Sequence, residues 1–227
     1  LGKKRYKLAS IYAHKGLVFV PLIGLTLSII GYFFAPSLFM FLGAKDEYLQ
    51  ISLDYINPIL FGAIFFMFNF SLNSILIATG DTKTYRNSLI FGFFANLALN
   101  PLFMYGFLFV PAMGIKGIAF ATVLIQIINM FYLFYKVLQT KLIHFDKLEY
   151  FIPNLRIYKL FFTHGIPSSL NMLTMAIGSL ILTYFVSHYG IQAVAGYGIG
   201  YRVEQLMLLP ALGLSTAVLA LVSNNFG

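Results

Sequence analysis

Charged residues divide this chain into long apolar runs. Gly16–Ala44, Tyr55–Gly80, Asn87–Ile115 and Gly117–Tyr135 contain no Asp, Glu, Lys or Arg over 29, 26, 29 and 19 residues. Leu160–Tyr201 continues for 42 residues and Gln205–Gly227 for 23. A hydrocarbon core about 30 Å thick takes about 20 residues of helix, so each of the first four runs fits one crossing. The 42-residue run is too long for one helix and breaks at His188-Tyr189-Gly190; its second part continues through Arg202 and Glu204 into the last run. The pattern predicts six spans, at roughly 16–42, 50–79, 87–110, 115–136, 163–188 and 192–222. Barrel strands are short and alternating, whereas these runs are long and continuous. The fold class is an all-α polytopic transmembrane helical bundle.

Composition agrees. Apolar residues make up 59% of the 227 and charged residues 10%, against about 25% charged in a soluble domain. The mean hydropathy is +0.84. A soluble domain of this length cannot hide 25 Phe and 15 Tyr and still cover its surface with polar groups. High hydrophobicity excludes disorder, and the lack of cysteine excludes a disulfide scaffold. The chain opens on Leu1 within a basic segment and stops at Phe226-Gly227 without a polar tail. It reads as a piece of a longer membrane protein.

The charges that remain set an orientation. Residues 1–15, 80–86 and 136–162 hold 12 of the 15 Lys and Arg, while Lys45 and Lys116 lie in the other set of loops and Arg202 in the last span. The positive-inside rule makes the first set cytoplasmic. The net charge of +8 then reflects topology and attraction to anionic lipid rather than nucleic-acid binding. Residues 137–162, rich in Lys, Asp, Glu, His and Pro, read as a cytoplasmic linker between an N-terminal part, 1–136, and a C-terminal part, 163–227.

Polar residues inside spans need partners and often mark a pathway. Asn96 and Asn100 are four apart and share a helical face; Pro101 removes a donor and frees a carbonyl near Leu97. Two amides beside a broken helix suit a coordinated cation or a proton relay, and they equally suit interhelical hydrogen bonding. Asn69 and Asn73 repeat the spacing, with Asp54 and Asn57-Pro58 near the outer end of that span. Arg202 and Glu204 are two apart, so they point to different faces. Each needs an ion pair with a neighbouring helix or a water-filled cavity. Gly80-Asp81-Thr82-Lys83 lacks phosphate-loop spacing and reads as a helix stop followed by a cap. His164 and His188 offer too few ligands for a metal. No nucleophile and base arrangement stands out, so nothing here argues for an enzyme.

Several segments together resemble the multidrug and toxic compound extrusion (MATE) family. They are Ala78-Thr79-Gly80-Asp81-Thr82-Lys83; Asn96 through Asn100-Pro101; Met113-Gly114-Ile115-Lys116-Gly117 through Thr122; Gly165-Ile166-Pro167-Ser168-Ser169-Leu170; Gly196 through Leu214; and Asn225-Phe226-Gly227. The resemblance covers nearly the whole chain and implies spans 3 to 8 of a twelve-helix, two-lobed transporter with a central cleft. It implies antiport of H⁺ or Na⁺ against organic, often cationic, drugs or metabolites by alternating access. A lipid-linked saccharide flippase of the same superfamily and a non-transporting six-span subunit are the alternatives. The implied coupling site uses Asn96, Asn100 and Thr122 with Tyr55, and a first-span Asp that this chain does not contain. Arg202 and Glu204 fall to the substrate cleft. Asn100 stands where some members carry Asp, which moves proton titration away from this position. The resemblance implies no cofactor beyond the coupling ion. It also implies a small organic cation or amphiphile as substrate, a monomer in the bilayer of the cytoplasmic membrane, and no nucleic acid.

Overall fold

The computed structural model describes residues 6–107, 110–143 and 148–226. They form seven α-helices: α1 (Tyr6–Phe41), α2 (Asp46–Phe61), α3 (Ala63–Ala78), α4 (Lys83–Tyr105), α5 (Ile115–Gln139), α6 (Leu155–Ser187) and α7 (Ile191–Phe226). One 3₁₀ turn, Leu148–Tyr150, precedes α6. Five of the helices are long and apolar enough to cross a bilayer, and the α2–α3 pair, bent by 46°, makes a sixth as one broken span.

The bend corrects the expectation of one straight helix over 50–79. Pro58 cannot donate to the Asp54 carbonyl, and the ladder fails one turn later at Gly62. Gly62 N–H returns to Pro58 O at 2.9 Å. Leu60 O is taken instead by the Ser28 hydroxyl of α1, at 2.5 Å. The break is therefore held from outside, by a side chain on a neighbouring helix. Gly24 of α1 lets the two helices approach, since a Cβ there would meet Met67 Cγ at 2.9 Å.

α1 starts at Tyr6, ten residues before the expected span, so Lys15 lies inside a helix rather than in a solvated loop. Lys15 is buried, and its Nζ donates to the carbonyls of Glu149 and Ile152. His14 is fully buried with its ring edge-on to Tyr150 and Phe151. Ser10 Oγ donates to Leu142 O at 2.6 Å. The connection after α5 is thus docked onto the first turns of α1. Its Leu142 and Ile143 join a core with Leu17, Leu72, Ile75, Leu76, Leu133 and Val137. Lys15→Met keeps the apolar stem and deletes the donor. Hydrogen bonds from a charged donor are worth about 1.5–3 kcal/mol. We expect faster proteolysis within 140–154 and a lower melting temperature; an unchanged cleavage rate would remove Lys15 from the clamp.

The turn between α3 and α4 folds as its residue types dictate. Gly80 takes φ +88°, and Asp81 rather than Thr82 caps α4. Asp81 Oδ1 accepts from the backbone N–H of Lys83 (3.1 Å) and Thr84 (3.0 Å), and Oδ2 from the Thr84 hydroxyl (2.5 Å). The Thr84 hydroxyl, then its N–H, hold the Asp81 carboxyl below its ordinary pKa. A carboxylate with a depressed folded-state pKa stabilises fully at neutral pH and loses that contribution as pH falls through the folded value. Asp81→Ala should therefore cost about 1 kcal/mol at neutral pH. Its melting-temperature gap from the parent should close as the pH drops below the carboxylate range; a gap independent of pH would contradict the cap.

α6 and α7 pair with each other, and no residue with a described burial state in either is buried. Their apolar residues run around the whole helix, as suits lipid or neighbouring helices rather than water. Against α1, α6 makes aromatic contacts in two places. Phe19 meets Tyr158, Phe161 and Phe162 near one end, and Phe41 stacks on Tyr184 at 4.7 Å near the other.

Candidate functional site

The amide-bearing helices α4 and α5 pack antiparallel, and small residues set how closely. A Cβ on Gly117 would lie 2.4 Å from the Phe103 carbonyl oxygen, and one on Gly92 would lie 3.5 Å from Asn129 Nδ2. The pairs Phe103–Gly117 and Gly92–Asn129 fix the register. Thr122 therefore lies level with the turn between Asn96 and Asn100. Of the residues expected at the coupling site, the fold brings these three to one level of one helix pair.

Their hydrogen bonds show what they have left to offer. Asn96 Nδ2 donates to Gly92 O at 3.0 Å and Thr122 Oγ1 to Ile118 O at 3.0 Å, each within its own helix. Asn100 Oδ1 is buried and has no hydrogen-bond partner among the described residues. The Thr122 hydroxyl and one Asn96 N–H are engaged within their own helices, and the Asn100 oxygen keeps its lone pairs. Such a set suits a cation or a proton donor. A buried acceptor left unmade costs about 1–3 kcal/mol, so a fold that retains one invites a ligand or a partner.

Asn57, Asn69 and Asn73 also carry buried Oδ1 atoms without partners among the described residues. Asn69 is anchored on its other side: its Nδ2 donates to the Gln126 carbonyl (2.9 Å) and to Gln126 Oε1 (2.7 Å), tying α3 to α5. Gln126 was not singled out from the sequence. A signal exists, since Thr122 and Gln126 are four apart in an otherwise apolar run.

Tyr55, Arg202 and Glu204 lie exposed on the surface of the described helices, and none of them joins the Asn96, Asn100 and Thr122 level by any described hydrogen bond or ion pair. Asp54, expected at the interface, forms an ion pair with Lys116 at 3.1 Å. Among the described residues no group of three or more His, Cys, Asp or Glu is placed to hold a metal.

The MatE family model matches residues 1–102 and 167–227. The chain belongs to the MatE family. Over 93% of its length this MatE chain is 32% identical to the probable multidrug resistance protein YoeA of Bacillus subtilis, of which it covers 46%. It is 25% identical over its whole length to the multidrug export protein MepA of Staphylococcus aureus, covering 49% of that protein. The chain thus spans about half the length of the curated relatives it matches. Among solved structures, an inward-facing multidrug resistance MATE transporter of the MOP superfamily superposes with a TM-score of 0.74 at 25% identity. That match covers 95% of this chain and 55% of the other. A MOP superfamily transporter from Pyrococcus furiosus superposes with a TM-score of 0.73, over 97% of this chain and 53% of that one. This MatE chain is a multi-pass membrane protein of helical-bundle architecture.

Proposed function

We propose that the full polypeptide is a cation-coupled antiporter that exports organic, often cationic, drugs or metabolites by alternating access. The observation that carries this reading is the level formed by Asn96, Asn100 and Thr122, where the Asn100 oxygen has no partner among the described residues; α4 runs through Pro101 unbroken, so the broken helix expected from the sequence is absent and the amides carry the reading alone. Kinship with multidrug export proteins supports the substrate class. A neutral amide at position 100 ligates a cation without titrating, so an H⁺-driven cycle would take its titrating acid from a carboxylate outside this segment. The basic segments 1–15, 80–86 and 136–162 then face the cytoplasm, the protein works as a monomer in the cytoplasmic membrane, and 137–162 joins two lobes. The test is export from proteoliposomes of the full-length protein under an imposed ΔpH or Na⁺ gradient. Gradient-dependent export of an organic cation is expected; transport indifferent to both gradients would defeat the coupling reading.

A further inference from the structure

A cavity of about 580 Å³ opens between α2 and α5, at the end of these helices away from the Asp81 turn. Its wall carries Asp54, Asn57, Phe61, Phe65, Lys116 and Phe120. The volume lies within the range of sites that take drug-sized molecules.

The polar groups of the wall are mostly acceptors. Asp54 Oδ1 receives Lys116 Nζ at 3.1 Å and Gln50 Nε2 at 2.9 Å. No described bond reaches Oδ2. Asn57 Oδ1 is buried and has no partner among the described residues. Pro58, also on the wall, leaves the Asp54 carbonyl without its i+4 donor. Three phenyl rings offer faces that attract cations. The one cationic group is Lys116, an ammonium on an apolar stem, with half of its side chain exposed. An anion would find its only cation already paired and unpaired oxygens around it.

We propose that this cavity is a second ligand site, for an amphiphilic organic monocation, in which Lys116 is a tethered ammonium that the ligand displaces from Asp54. Displaced, Lys116 extends into solvent, where its half-exposed stem already points. The incoming charge takes Asp54 and the Asn57 oxygen, and its apolar body lies on Phe61, Phe65 and Phe120. The site shares no residue with the Asn96, Asn100 and Thr122 level. Its test reads binding rather than export, so either reading can fail without the other.

The test uses the full-length protein in nanodiscs, with any cysteines outside this cysteine-free segment replaced by serine. Phe61→Cys places a thiol on the exposed rim of the cavity, and Phe93→Cys on exposed α4 serves as the control. Tetraphenylphosphonium should slow maleimide labelling of the first thiol and leave the second unchanged. Added Asp54→Asn should raise the half-protecting concentration about tenfold. Added Lys116→Met should lower it about threefold, because a competitor is gone. The opposite signs are the core of the test, since a folding defect would weaken protection in both variants. An unchanged value with Asp54→Asn, or weakening with Lys116→Met, would overturn the proposal. So would protection by phosphatidylethanolamine nanodiscs alone, compared with phosphatidylglycerol ones, which would assign the site to a lipid headgroup.

Discussion

Asn100→Ala is expected to cut gradient-driven export by tenfold or more while the protein still folds and inserts. The Asn100 oxygen is a buried acceptor without a partner among the described residues. Removing it deletes a ligand and breaks no described contact of that atom, so stability should hold or rise. Hydrogen bonds involving a charged group are worth about 1.5–3 kcal/mol, and about 1.4 kcal/mol is a factor of ten. Asn100→Asp is the informative companion. A carboxylate there adds a titrating group, so export should acquire a new dependence on pH while Na⁺ dependence persists or strengthens. Coupled export unchanged in the alanine variant would remove Asn100 from the site.

Gly117→Ala is expected to lower both stability and export. An alanine normally gains about 1 kcal/mol over glycine inside a helix. Here its Cβ would lie 2.4 Å from the Phe103 oxygen and 2.6 Å from the Phe103 carbonyl carbon. Both are backbone atoms and cannot swing away, so α4 and α5 must separate. Overpacking of this kind costs about 1–3 kcal/mol, enough to reverse the helix gain. The separation also moves Thr122 away from Asn96 and Asn100, although none of the three is mutated. A lower melting temperature with export reduced several-fold is the expected pair of readings. Gly165→Ala is the control, since a Cβ there meets nothing within 4 Å. A Gly117→Ala protein that melts like the parent would refute the close α4–α5 contact.

Much of the candidate site was legible because polar residues are rare in this chain. Asn96, Asn100 and Thr122 stand out in charge-free runs, and helical spacing alone puts the two amides on one face. Family motifs then placed Thr122 with them. Lys15 was not legible. A lysine at the start of an apolar run reads as a solvated interfacial charge, and only the folded 148–152 segment supplies the carbonyls that bury it. The Asp54–Lys116 pair was hidden for a similar reason. The residues are 62 positions apart, and nothing local to either indicates the other. Pro58 and Gly62 were visible as breakers, but the depth of the break depends on Ser28, which lies on another helix.

By itself the sequence determined that the chain is a membrane bundle of six spans, which of its loops are basic, and which uncharged amides lie in the apolar runs. Those properties follow from run length, charge count and helical period, each local to a segment. Tertiary structure alone decided which segments meet. It docked residues 142–143 and 149–152 onto α1, set the register that brings Thr122 level with Asn100, and paired Lys116 with Asp54 beside a cavity. The physical reason is that a buried polar group takes whatever partner the packing of other helices brings within about 3 Å, and that distance is not written in any one segment.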